Sequence, residues 1–115
     1  MTLEERHAEL IQRAIRDRRL LAVKLIDEQH PRLCIPFDYR PRGIGGRHGS
    51  FIFYEFDEAG VPGSRLEVAS GRLLAIRLLD LRFRPEEFIG WPKDWHLPRN
   101  WPGTGLAGCR DLTGV

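Results

Sequence analysis

Ile11-Gln12-Arg13-Ala14-Ile15-Arg16-Asp17-Arg18-Arg19-Leu20-Leu21-Ala22-Val23-Lys24-Leu25-Ile26 changes its hydrophobic period part-way along. Up to Arg18 the apolar residues recur every three or four positions, in phase with Leu3 and Leu10 upstream. That spacing predicts a helix over residues 2–18 with one buried stripe and His7 at its margin. Arg13, Arg16, Asp17 and Arg19 point elsewhere. From Leu20 the period is two, and Leu21, Val23 and Leu25 alternate with Ala22, Lys24 and Ile26, as in a strand. An isolated helix of this length is marginal in water, so its stripe has to pack on the strands that follow.

Working upstream, Thr2-Leu3-Glu4-Glu5 has the S/T-x-x-E form of a capping box, and its acids suit the positive end of the helix. Working downstream, Asp27-Glu28-Gln29-His30-Pro31 reads as a turn. In the second strand Leu33, Ile35, Phe37 and Tyr39 share one face, and Arg32, Cys34, Pro36 and Asp38 the other. Pro36 has no amide to donate, so it marks an edge, a bulge or the end of regular pairing. A glycine- and arginine-rich loop follows over residues 40–49. Ser50 to Asp57 is apolar on both faces, which predicts a central strand. Turn residues fill 58–63, a fourth strand runs from about Arg65 to Ala69, and Ser70-Gly71-Arg72 is a tight turn. The fifth strand, from Leu73 to about Phe83, is long enough to bend.

One helix and five short strands predict a mainly β single domain over 1–115: an N-terminal α-helix, then an SH3/Sm-like five-stranded antiparallel barrel over 20–83. An irregular Trp/Pro/Gly-rich C-terminal tail occupies 84–115 and is expected to pack on the barrel or on a partner. With 42% hydrophobic and 30% charged residues the chain is neither disordered nor membrane-spanning in character, and no apolar run approaches the roughly 18–20 residues that cross a bilayer. The acidic start has no apolar signal region, so a cytoplasmic location is expected. Cys34 and Cys109 form no CxxC or Cys/His cluster, which argues against zinc and against a disulfide framework; Cys34 reads as a core residue.

The order of parts resembles the WYL domain, a small Sm/SH3-like β-barrel common in bacterial regulators. Such domains open on a helix of the form I-x-x-A-I-x-x-R-R-x-L, which Ile11 to Leu20 follows closely. A strand ending in proline follows, as at Leu33-Cys34-Ile35-Pro36; Phe51-Ile52-Phe53 stands where the signature Trp-Tyr-Leu is expected; and Val68-Ala69-Ser70-Gly71-Arg72-Leu73 matches an F-R-x-x-R-I segment. The likeness covers residues 8 to 83. The signature tripeptide is absent, the first arginine of the last motif is Ala69, and no helix-turn-helix precedes the barrel. The resemblance implies a divergent, free-standing member that senses a nucleic-acid-like or nucleotide ligand and takes part in transcription regulation.

No catalytic apparatus is legible. His7, His30, His48 and His96 are scattered, without HExxH spacing. The loop Gly43 to Gly49 lacks the Gly-Lys-Ser/Thr ending of a P-loop and precedes a strand. His48 and Ser50 have no orienting acid, and Glu86-Glu87 are neighbours that do not face each other on a helix. The expectation is a non-enzymatic protein with no metal and no cofactor. Its ligand site would combine Arg42, Arg47, Arg65 and Arg72 with the aromatic faces of Phe51 and Phe53, the mixture that stacks and neutralises nucleic acid or a nucleotide. The competing expectation is a protein–protein interaction or assembly module. In it Trp91, Trp95 and Trp101, whose apolar area is costly in water, are buried across a homodimer.

Overall fold

The computed structural model describes residues 2–41, 48–56, 60, 62–87, 95–99 and 101. Helix α1 spans Leu3–Asp17. Its start is the capping box expected from the sequence. The Glu5 amide donates to the Thr2 hydroxyl at 3.1 Å, and the Thr2 amide donates to the Glu5 carboxylate at 2.8 Å. Its end is Arg18, left-handed at φ 58°, whose amide reaches back to the Ala14 carbonyl. This non-glycine C-cap turns the chain directly into strand β1, Arg19–Leu25.

Four more strands follow: β2 (Arg32–Arg40), β3 (Ser50–Phe56), β4 (Pro62–Ala69) and β5 (Leu73–Arg82). All neighbours are antiparallel, in the order β4-β3-β2-β1-β5. Strand β3, expected to be central, is interior, paired with β4 and β2 on its two sides, and the middle strand of the sheet is β2. A single 3₁₀ turn, Ser70–Arg72, carries the chain from β4 at one edge to β5 at the other.

The closed barrel expected from the strand count is not formed: the sheet is open, with β4 and β5 as its edges. The backbone around the 3₁₀ turn bonds elsewhere. The Ser70 amide donates to the Gly49 carbonyl at 2.9 Å, and the Ile26 amide donates to the Arg72 carbonyl at 3.0 Å. Those groups therefore tie the turn to the ends of β1 and β3 instead of continuing a ladder from β4 to β5.

The core lies between α1 and the sheet. Ile11, Ala14 and Ile15 of the helix belong to one buried cluster with Leu21, Val23, Phe37, Phe51, Phe53 and Ile76, and α1 packs mainly on β2, β5 and β1. Each large side chain buried there contributes about 1.5–3 kcal/mol. Strand β2 departs from the alternation expected of it: Cys34, Ile35, Pro36, Phe37 and Asp38 are all buried, and Leu33 is exposed. As the middle strand β2 is covered on both faces, and beyond Pro36 a register shift in the pairing with β3, where Pro36 faces Phe53 and Asp38 faces Ile52, breaks the alternation. The extra residue at the proline re-aims the strand and turns Asp38 inward.

Residues 95–99 and Trp101 lie back over this bulge. Asp38 accepts from the amides of His96 at 2.7 Å and Leu97 at 2.8 Å. The Trp101 indole donates to the Ile15 carbonyl at 2.9 Å and its ring meets the edge of Phe83.

Candidate anion-binding face

The outer surface of α1 carries an open groove of about 600 Å³, lined by Arg6, Glu9, Leu10, Gln12, Arg13 and Arg16. Helical spacing produces it: three- and four-residue steps stack these side chains along one side, opposite the buried stripe. Among the described residues that line it are three guanidinium groups and one carboxylate. Arg16 is paired with Asp17 at 3.3 Å, while among the described residues neither Arg6 nor Arg13 has an ion-pair partner.

The charge continues past the helix end. The Phe83 amide donates to the Arg18 carbonyl at 2.9 Å, and the Arg82 guanidinium donates to the Asp17 carbonyl at 2.9 Å. These bonds bring Arg82 to the C-terminal end of α1, beside Arg18. Arg82 thereby caps helix carbonyls that would otherwise lack a donor. Arg19 is committed to Asp80 at 3.2 Å and to the Leu79 carbonyl at 2.7 Å. From Arg6 to Arg18 the track is about 18 Å long at 1.5 Å per residue.

Of the six residues singled out from the sequence as a ligand site, the four that lie among the described residues do not form a comparable surface. Phe51 and Phe53 are 0% exposed and belong to the core, so neither ring offers a face for stacking. Arg65 lies on edge strand β4, its guanidinium carbon 5.8 Å from the centre of the Phe37 ring. Arg72 is held by Asp27 at 3.1 Å, and this pairing keeps the Asp27 carboxyl below the usual carboxylate range. The two arginines thus answer to different partners. Arg42 and Arg47 lie outside the described residues. So does Trp91; Trp95 is half-buried and Trp101 buried, both against this chain's own sheet.

Other polar groups have structural occupations. Arg32 bridges Glu28 and Glu55, and these hydrogen bonds push its pKa up while lowering that of Glu28. Tyr39 donates to Glu4, and burial, with that bond, raises its pKa to about 12. The buried Cys34 thiol is pushed up to about 12 by desolvation, which leaves it a poor nucleophile. Among the described residues no group of three or more His, Cys, Asp or Glu converges as a metal site would need, and no helix is long and apolar enough to cross a membrane.

The helix face could have been found in the sequence by asking what the charged side of the amphipathic pattern displays. No protein-family model, curated protein or solved structure matches this chain.

Proposed function

We propose that this protein is a non-enzymatic binding module that takes a phosphate-rich polyanion, a nucleic acid, along the arginine-bearing face of α1. The observation that carries the reading is the groove lined by Arg6, Arg13 and Arg16, with Arg18 and Arg82 at the helix end beyond it. Guanidinium groups spaced along an open track suit the repeated charges of a phosphate backbone. The scaffold, in this reading, is an open relative of the SH3/Sm-like arrangement, and a WYL-like regulatory role goes with it. The helix-first order, the strand order and the 3₁₀ turn between the edge strands support that assignment. An assembly role built on the tail is less well supported, because Trp95 and Trp101 are engaged within the chain.

Titration of a labelled single-stranded oligonucleotide at two salt concentrations tests the reading. Binding should weaken on raising salt with a logarithmic slope of about 2–3, as expected for three or four neutralised phosphates. The triple change Arg6→Ala, Arg13→Ala, Arg16→Ala should reduce affinity about tenfold or more at low salt. Absence of binding at low salt, or a triple variant that binds as well as the parent, would overturn it.

A further inference from the structure

Arg99 is the least expected charge in the molecule. Its side chain is 0% exposed, and its guanidinium carbon sits 4.8 Å from the centre of the Phe37 ring, 4.5 Å from Trp95 and 4.5 Å from Trp101. Nη2 donates to the Phe37 carbonyl, Nε and Nη2 both reach the Leu97 carbonyl at 3.4 Å, and the Asp38 carboxylate is 3.7 Å away. Among the described residues Nη1 has no hydrogen-bond partner. Burial outweighs the nearby carboxylate and lowers the Arg99 pKa to about 10. Asp38 does not depend on Arg99 for its own satisfaction: it accepts two backbone amides and has Arg40 at 3.6 Å.

Such a guanidinium is enclosed by three ring faces and one nearby anion, with two backbone carbonyls receiving its Nε and Nη2 hydrogens. That is the physics of an aromatic cage for a cation. Its walls come from two places. Phe37 and Asp38 stand at the bulge of β2, and Trp95 and Trp101 stand on the segment that folds over it. The cage is therefore complete only when that segment is down, and the cation is the body that both halves grip.

We propose that Phe37, Asp38, Trp95 and Trp101 form a guanidinium-selective binding site, filled in cis by Arg99, and that this occupancy fastens residues 95–99 and Trp101 over the sheet. The ligand class follows from the walls. Flat aromatic faces and a carboxylate at ion-pair distance suit a planar, delocalised and weakly hydrated cation. A compact ammonium keeps its water more tightly and cannot lie flat on several rings, and a neutral urea lacks the charge. The site is separate from the α1 face and selects the opposite sign of charge.

The test uses the full chain carrying Arg99→Ala. Its melting temperature should fall by about 5 °C or more, and its tryptophan emission should shift to the red as Trp95 and Trp101 loosen. Methylguanidinium at millimolar concentration, far below denaturing levels, should recover much of both losses in the variant and leave the parent unchanged. Methylammonium and urea at the same concentration should recover neither. An Arg99→Ala protein as stable as the parent, a loss that methylguanidinium does not repair, or equal repair by methylammonium or urea would each overturn the proposal. Should the variant not fold, the parent decides the matter. The Arg99 side-chain protons should be displaced upfield in its NMR spectrum by the surrounding rings, and shifts like those of free arginine would refute the site.

Discussion

His7 meets the edge of Phe51, with ring centroids 6.0 Å apart, and burial lowers its pKa from the usual 6.5. The unfolded chain therefore takes up this proton more readily than the folded one, and the folded state loses stability as pH falls below 6.5. The loss continues until the lowered folded value is passed and then levels off. Replacing His7 by Leu removes this proton linkage. Urea midpoints measured at pH 7.5 and at about pH 5 should fall further for the parent than for His7→Leu, the shared carboxylate effects cancelling between them. Parallel falls in the two proteins would show that His7 is not responsible. At this scale the sequence was readable wherever period alone decided burial: Ile11, Ala14 and Ile15 lie where their spacing puts them. Asp38 was not readable. Alternation assigned it to the polar face of β2, and one extra residue at Pro36 reversed that.

Between residue and fold, the join of α1 to the sheet rests on close approach. Tyr39 of β2 donates to Glu4 of α1 and packs at 4.8 Å on Phe51 of β3, and Gly49 lies directly beneath. A Cβ on Gly49 would stand 2.7 Å from Tyr39 Cε1, closer than real side chains come. The tyrosine is braced on both sides and cannot retreat without breaking a contact. Gly49→Ala should thus cost about 1–3 kcal/mol by overpacking. Denaturant unfolding measures it, and a change under half a kilocalorie would mean that the ring moves freely after all. The helix, its cap and the five strands could all be read from the sequence, because local chemistry fixes them: the hydroxyl of Thr2, the switch of period at Leu20, the double apolar face of β3. The role of Gly49 could not, since it depends on a helix acid thirty-five positions upstream of Tyr39 arriving at the same place.

For the molecule as a whole, β1–β2, β2–β3 and β3–β4 join strands adjacent in the chain, while β1 meets β5 only when Leu21 finds Leu78. Closing that distant pairing has an entropic cost that the nearer hairpins avoid, so the meander should form first. Ile76→Val, on the β1–β5 seam, should cost about 1 kcal/mol and act mainly by speeding unfolding. Phe53→Leu, inside the meander, should chiefly slow folding. Stopped-flow chevrons separate the two arms, and an Ile76→Val protein that folds as slowly as Phe53→Leu would contradict this order. The arginine track also waits on the late step, because Arg82 reaches the end of α1 only once β5 is home. That dependence explains why the candidate site was harder to read than the fold. Arg6, Arg13 and Arg16 share a helix face that spacing reveals, but their continuation comes from the far end of the chain.

The 3₁₀ turn Ser70–Arg72 sets a limit on how this chain can drift in length. It is pinned at one end by the Ser70–Gly49 bond and at the other by the Ile26–Arg72 bond, so it has no slack. A side chain added at Gly71 would meet nothing within 4 Å, and changes of composition there are harmless. One residue more or fewer is another matter. It would shift β5 against β1 by a step and turn Ile76 and Leu78 outward, exposing what the core needs. In descendants of this sequence the turn should vary freely in its letters and hardly at all in their number.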